Sequence, residues 1–302
     1  MSGSDLPTVS PQSLAKSSLS SHQQQFRVQF WGVRGGVPTP GVETVRFGGN
    51  TPCVEIQVSN KRIIFDGGTG LRVLGKHLCK EMPVEAHLFF THTHWDRIQG
   101  FPFFAPAFIE GNCFHIYGAM GANGASIKQR LCDQMLRPNF PVPLQMMRAD
   151  LKFHDISPGS VITLDDVMIE TVSLNRPNGA LGYRVTWNGN SVVYATDTEH
   201  SADHPDQSLL YLADQANLLI YDVACVDAAY CDLGGASEQH AHLWQSAVEV
   251  AITAQVEQVV LFHHDPSHED DYLHQVEQQI QAKYSNVSLA REGLVMEILP
   301  RQ

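Results

Sequence analysis

The sequence lacks long apolar runs, an excess of basic residues and a secretory signal pattern. Each absence argues against one class of protein. No run reaches the roughly 20 apolar residues that a membrane-spanning helix needs. Acidic residues outnumber basic ones by 32 to 20, for a net charge of −12, which excludes the basic face of a general nucleic-acid-binding protein. A nucleotide or small phosphoester in a local positive pocket is compatible with this balance. We therefore expect a cytoplasmic protein that does not associate with membranes.

Cysteine is also sparse, and its spacing carries no metal or disulfide pattern. The six cysteines never form a CxxC pair, and paired or evenly spaced cysteines are typical of structural zinc sites and small secreted scaffolds. They are Cys53, Cys79, Cys113, Cys132, Cys225 and Cys231. We interpret them as buried thiols of a protein from a reducing compartment.

Two regions differ in composition. Residues 1–25 are rich in Ser, Gln and Pro, and we predict a disordered tail because such a segment buries too little apolar surface to offset its ordering entropy. Residues 26–302 alternate short apolar runs with glycine-containing turns and amphipathic stretches. Many strands with a few interleaved helices indicate one α/β domain, in which two sheets are covered by helices.

The clearest chemical signal is the segment 91–97, THTHWDR, which follows the predicted strand AHLFF. His92 and His94 are two residues apart at a strand end, so their rings project to the same side. Asp96 follows within reach of both. Imidazole and carboxylate together suit zinc or manganese, and we predict a metal-type site here.

This motif resembles the THxHxDH motif of the metallo-β-lactamase superfamily, whose fold is a four-layer αββα sandwich. Further segments, in the expected order, resemble its phosphodiesterase and ribonuclease Z-like branch. They are WGVRGGVP at 31–38, FGGNT at 47–51, DGGTG at 66–70, NRP at 175–177, TDTEH at 196–200 and FHHDP at 262–266.

The resemblance implies a centre with two metal ions. His92, His94 and a third histidine would hold one ion, while Asp96, the histidine after it and His263 would hold the other. Asp197 would bridge the two. Such a pair supplies a hydroxide near neutral pH for hydrolysis of a phosphodiester, for example a cyclic nucleotide or an RNA-derived end.

Two catalytic roles are also implied. Asp96 would orient the attacking water, and His240 would assist the leaving group, with His242 as the alternative in that loosely matched segment. Family relatives are often dimers, so a homodimer is a further expectation from the resemblance.

The sequence departs from this pattern at two ligand positions. Arg97 stands where the motif ends in histidine, and Arg176 stands where the branch carries Asn-His-Pro. A guanidinium is protonated at any relevant pH and offers only donors, so it cannot coordinate a cation. One substitution falls on each metal site, which argues against a complete two-metal centre.

Three hypotheses remain. One ion, zinc or manganese, survives on His92, His94 and Asp197, and both arginines grip a phosphate. Alternatively no metal binds, because Arg97 pairs with Asp96 and Arg176 with Asp197, and the protein binds or regulates a partner. In the third, His200 or His264 repairs a site. The sequence alone does not decide between the single-ion hypothesis and the metal-free hypothesis.

Neighbouring residues have simpler interpretations. Asp66 is expected to accept hydrogen bonds from the glycine amides of its turn. Asp222 either orients a ligand histidine or serves a turn. His115 and His154 lie in strand-like runs and are interpreted as core or surface histidines. Arg34 is assigned to an exposed loop, with a surface or ion-pair role.

Overall fold

Two seven-stranded sheets form the middle of this protein in a computed structural model that describes residues 25–175, 179–196, 198, 206–222 and 243–300. The strands of the first sheet are β1 (Phe26–Gly32), β2 (Cys53–Val58), β3 (Lys61–Phe65), β4 (Glu85–Phe89), β5 (Cys113–Ala119), β6 (Asp150–Ile156) and β14 (Val295–Glu297). The strands of the second are β7 (Val161–Leu164), β8 (Val167–Leu174), β9 (Ala180–Trp187), β10 (Asn190–Ala195), β11 (Leu218–Asp222), β12 (Gln258–Phe262) and β13 (Val287–Leu289).

Each sheet is half antiparallel and half parallel. The first has the order β14-β1-β2-β3-β4-β5-β6, with parallel pairing from β3 to β6. The second has the order β13-β12-β11-β10-β9-β8-β7, with parallel pairing from β10 to β13. Parallel strands such as β11 are buried along their whole length, because both faces of a parallel sheet are covered.

The described part of the chain contains six α-helices, and all but the short α2 lie on the outer faces of the sheets. They are α1 (Thr69–Leu78), α2 (Trp95–Ile98), α3 (Ile127–Asp133), α4 (Gln207–Ala213), α5 (Leu243–Thr253) and α6 (Asp270–Gln281). Short 3₁₀ turns occur at Phe101–Phe103, Ala105–Phe108 and Leu144–Met146. Helices α1 and α3 pack on the first sheet, and α4, α5 and α6 on the second.

Three apolar cores correspond to these layers. The core between the sheets is built from aromatic side chains including Phe30, Phe65, Phe89, Tyr183 and Phe262. Separate cores lie under the helices on each outer face. Alternating burial along β1 fits this arrangement, since successive side chains of a strand point to opposite faces. The predicted αββα sandwich is confirmed.

The structure also bears on the expectations for a membrane-spanning helix and for the cysteines. In the part of the chain that the structure describes, no helix is long and apolar enough to cross a membrane. Four of the six cysteines lie in this part and none of the four forms a disulfide, but only Cys53 is buried; Cys79, Cys113 and Cys132 are half-buried. The expectation of buried thiols is therefore wrong for those three, and Cys225 and Cys231 lie outside the described residues.

Candidate functional site

Those predicted site residues that the structure describes gather with Asp66, Thr196 and Asp222 at one edge of the sandwich, where strands of both sheets end. Asp66 follows β3 and the segment 91–97 follows β4 in the first sheet. Thr196 follows β10, Asp222 ends β11 and His263 follows β12 in the second sheet. The parallel strands bring these ends together, and pockets of parallel α/β sheets form at the carboxyl ends of their strands.

Arg97 lies at the centre of this edge. It belongs to the short helix α2, its side chain is 0% exposed, and its Nη1 donates to three oxygens. Those oxygens are Oδ2 of Asp66 at 2.9 Å, Oγ1 of Thr196 at 3.0 Å and the hydroxyl of Tyr194 at 3.2 Å. Both sheets therefore contribute partners to one buried guanidinium.

Two more carboxylates lie beside the same guanidinium. Its Nε is 3.4 Å from Oδ2 of Asp96, and its Nη2 is 3.8 Å from Oδ2 of Asp222. With Asp66, three buried carboxylates surround Arg97. A buried charge is costly unless it is paired, and the charges of these groups compensate one another.

His263 joins the cluster through both ring nitrogens. Its Nε2 is 2.9 Å from Oδ2 of Asp96, and its Nδ1 is 2.9 Å from Oδ2 of Asp222. An ionised carboxylate only accepts hydrogen bonds, so a ring nitrogen that bonds one of these oxygens does so through its own proton. A metal-ligating histidine must instead offer a lone pair.

The opening loop of the domain packs closely on this cluster. The amide of Gly36 donates to Oδ2 of Asp96 at 3.3 Å. At Gly35, an added Cβ would lie only 2.8 Å from Nε2 of His263. His263 itself has a φ of 64°, a left-handed conformation that residues other than glycine rarely adopt. Such strain is maintained where the surrounding contacts fix the residue.

Asp66 is anchored differently from the expectation for a turn carboxylate. Its Oδ1 accepts from the amide of Thr91 at 2.9 Å, and its Oδ2 accepts from the Tyr194 hydroxyl at 2.9 Å as well as from Arg97. The amides of Gly67 and Gly68 bond backbone carbonyls instead. Burial raises the pKa of Asp66 above its usual value, while Arg97 opposes that shift.

His92 and His94 lie side by side on the other part of the motif. Their ring centroids are 4.4 Å apart at an interplanar angle of 74°. Nδ1 of His92 is 3.0 Å from the Thr91 hydroxyl, and His92 is buried whereas His94 is half-exposed. Thr91 thus connects this pair to Asp66.

Comparison with known proteins agrees with this architecture. Residues 61–264, about two thirds of the chain, match the family described as "Beta-lactamase superfamily domain". The chain belongs to the metallo-β-lactamase superfamily. Among curated proteins it is similar to ribonuclease Z of Picrophilus torridus, with 23% identity, covering 90% of this chain and 96% of the relative.

Solved structures of superfamily members share the fold. The metallo-β-lactamase fold protein YhfI from Bacillus subtilis is 18% identical with a TM-score of 0.63, covering 91% of this chain and all of that one. A diphosphatase of the PhnP family is 17% identical with a TM-score of 0.62, covering 90% and 98%. The short form of human tRNase Z is 16% identical with a TM-score of 0.59, covering 91% and 100%. At these identities the likeness establishes the fold alone.

The superfamily's second metal position does not fit an ion in this chain. Of its expected ligands, Asp96 and His263 bond each other, and Arg97 fills the place of the third. Among the described residues, no group of three or more His, Cys, Asp or Glu side chains is arranged to hold a metal ion. Of the first position, His92 and His94 are described, whereas Asp197 and Arg176 lie outside the described residues, as do His240, His242 and His200.

His264 does not repair the site. Its Nε2 donates to the carbonyl of Ala290 at 2.7 Å, and its ring packs edge-on against Phe47 with centroids 5.8 Å apart. Burial lowers its pKa to about 3, so the ring is neutral at pH 7. The hypothesis of repair through His264 is wrong, because the ring is held away from the cluster by these contacts.

Arg34 differs from its prediction in its burial, although it has an ion pair, since its Nη2 lies 4.0 Å from Oδ1 of Asp270. It is fully buried, and its guanidinium donates to the carbonyls of Gly48, Asp265 and His268 at 2.8, 3.1 and 2.5 Å. It therefore ties the opening loop to the segment after β12, and the assignment to an exposed loop is wrong.

Of the five partners of Arg97 among the described residues, sequence reasoning found Asp96 and missed Asp66, Asp222, Tyr194 and Thr196. Tyr194 and Thr196 lie in or after a buried strand, SVVYATD, in which nothing distinguishes a functional hydroxyl from core packing. The pairing of Arg97 with Asp96 was expected. Asp222 contacts Nδ1 of His263, which agrees with the first of its two expected roles.

Proposed function

We propose that this chain is a metal-independent binding or regulatory member of the metallo-β-lactamase superfamily, in which Arg97 replaces one metal ion. The observation that carries the proposal is the buried guanidinium of Arg97 among Asp66, Asp96 and Asp222. Its fixed positive charge compensates carboxylates that would otherwise be buried without a cation.

Electrostatic repulsion supports the same conclusion. A doubly charged ion about 4 Å from a guanidinium would be repelled by roughly 8 kcal/mol at an effective dielectric of about 20. The expected ligands Asp96 and His263 are already engaged with each other and with Arg97. Their presence in the sequence is therefore explained by the ion cluster and does not require a metal.

The buried position of Arg97 favours metal replacement over substrate binding. Its side chain is 0% exposed and Nη1 already has three acceptors, so it cannot reach a phosphate without leaving the cluster. Oδ2 of Asp96 contacts Gly36, Arg97 and His263. Because this oxygen is already engaged, it is not available to orient an attacking water. A phosphate-binding role is left to Arg176.

A second candidate function is a phosphodiesterase with a single zinc or manganese ion. The adjacent rings of His92 and His94 favour it, with Asp197 as the third ligand. Three protein ligands and a water form an ordinary catalytic zinc site. The similarity to ribonuclease Z and to a diphosphatase suggests a small phosphoester or nucleotide as the substrate.

Metal analysis of protein purified without chelators separates the two candidates. The metal-independent proposal predicts clearly substoichiometric zinc, manganese and iron, and no hydrolysis of an aryl phosphodiester after either zinc or manganese is added. One ion per chain that is lost in both His92→Ala and His94→Ala would establish the single-ion candidate instead. Exposed His274 on α6 provides the control, since His274→Ala leaves either outcome unchanged.

A further inference from the structure

Three histidines lie on neighbouring parallel strands of the first sheet, away from the cluster around Arg97. His87 on β4 pairs in register with His115 on β5, and His154 on β6 pairs with Tyr117. The rings of His87 and His115 are stacked with centroids 4.8 Å apart, and the rings of His115 and His154 lie 5.4 Å apart at an angle of 5°. The rings therefore form one continuous row across three strands.

One hydrogen bond joins the middle histidine of this row to His154. Nδ1 of His115 is 3.2 Å from Nε2 of His154. A ring nitrogen donates only when protonated and accepts only when it has a lone pair, so this contact holds a single proton. If both rings were protonated, two N–H groups and two positive charges would face each other at this distance.

The surrounding charges relieve that repulsion only in part. Lys61 and Asp165, which lie beside His87, pair with each other at 2.5 Å. Lys152 and Asp150 pair at 3.3 Å near His115. The groups that face the three rings from β3 to β6 and from the β7–β8 turn are Lys61, Glu85, Cys113, Tyr117, Asp150, Lys152 and Asp165. Two lysines thus oppose protonation and two of the carboxylates pair with them, while Glu85 favours protonation of His115.

We infer that His87, His115 and His154 form an acid-sensitive latch that holds β6 on the first sheet at neutral pH and releases it on acidification. In the described part of the chain, β6 is the terminal strand of this sheet and pairs with β5 alone. As a terminal strand it has ladder bonds on one side only, so repulsion between His115 and His154 acts on its single pairing partner. We therefore expect acid-induced opening to begin at this edge.

The direction of the pH dependence follows from the neutral state of the rings. Burial, followed by neighbouring positive charge, lowers the pKa of His87 to about 4 and lowers the pKa of His115 and His154 as well. An unfolded histidine titrates near 6.5. The contribution of the neutral rings is fully present above that pH, and it is lost as the pH falls from there toward the folded values.

Hydrogen exchange at two pH values tests the latch in the full-length protein. Between pH 7.5 and pH 5, we expect the protection factors of β6 amides to fall about tenfold or more, since each unit of pKa difference corresponds to a factor of ten. Protection in β8 to β10 should change much less. In the double variant His115→Gln, His154→Gln, the selective loss in β6 should disappear, whereas the exposed control His274→Gln should behave as the wild type.

Two results would overturn the inference. One is an equal loss of protection in β6 and in β8 to β10. The other is an unchanged selective loss in the double variant. If the double variant does not fold, NMR titration of the histidines in the wild type decides. Titration of His115 and His154 near the ordinary pH of 6.5 contradicts the latch. A lowered pKa of both rings, with loss of β6 protection over the same pH range, supports it.

Discussion

Arg97 carries its positive charge where the family motif would place a metal-ligating histidine, and Asp66, Asp96 and Asp222 surround it. The sequence alone was sufficient to predict that this position cannot coordinate a cation. It was not sufficient to predict the partners, because Asp66 and Asp222 come from strands of different sheets. Their approach to Arg97 depends on tertiary packing, which no local spacing encodes.

Removing the guanidinium should strongly destabilise the fold. In Arg97→Met, three buried carboxylates lose their shared cation, and breaking a buried ion pair in this way costs about 3–5 kcal/mol. Urea unfolding followed by circular dichroism measures the loss. The control is Arg72→Met on α1, whose side chain is exposed and whose removal should change the free energy of unfolding by less than about 1 kcal/mol. Equal, small losses in both variants would show that the cluster does not depend on Arg97.

The Tyr194 hydroxyl makes a separate contribution to the same cluster. It donates to Asp66 at 2.9 Å and accepts from Arg97 at 3.2 Å. Hydrogen bonds to charged groups contribute about 1.5–3 kcal/mol, so Tyr194→Phe should lower the free energy of unfolding by that amount. Tyr272→Phe, at a side chain that is 40% exposed, should be close to neutral. A Tyr194→Phe variant as stable as this control would remove Tyr194 from the cluster.

At the level of elements, the long strands and helices could be predicted and the short ones could not. Apolar runs such as AHLFF and NLLIYD have the composition of buried strands, and they form β4 and β11. By contrast β7, with the sequence VITL, is exposed or half-exposed at every position. Helix α2 has only four residues, too few to establish a helical period. Such elements are fixed by their neighbours.

The connection around α2 depends on a close approach of two backbones. Gly100 follows α2, and an added Cβ there would lie 1.8 Å from the carbonyl oxygen of Gly68. Gly100→Ala should therefore force this loop away from the turn after β3 and destabilise the protein by about 4 kcal/mol or more. Thermal and urea unfolding measure the change.

A matched glycine lies in an open part of the chain. At Gly41 an added Cβ would meet nothing closer than the Thr44 hydroxyl at 3.9 Å, so Gly41→Ala should change stability by no more than about 0.5 kcal/mol. Comparable stability of the Gly100→Ala and Gly41→Ala variants would contradict the close packing of α2 on the turn after β3.

For the whole molecule, motif order across the chain was enough to predict the αββα sandwich, and the family match over residues 61–264 agrees with it. The disordered tail at 1–25, the single domain from 26 to 302, the cytoplasmic location and the homodimer stay predictions. So do the roles of Arg176, Asp197 and His240, which lie outside the described residues. At the second metal position, the expected ligands Asp96 and His263 bond each other and pair with Arg97 and Asp222.

The most direct test is the zinc content of the wild type beside the double variant Arg97→His, Arg176→His, both incubated with zinc and then dialysed. Arginine-for-metal replacement predicts that the wild type retains clearly substoichiometric zinc and that the double variant takes up at least one ion per chain, because the lost imidazole ligands return and the repelling cations are gone. A wild type that holds one or two ions, or a double variant that takes up no more zinc than the wild type, would contradict it.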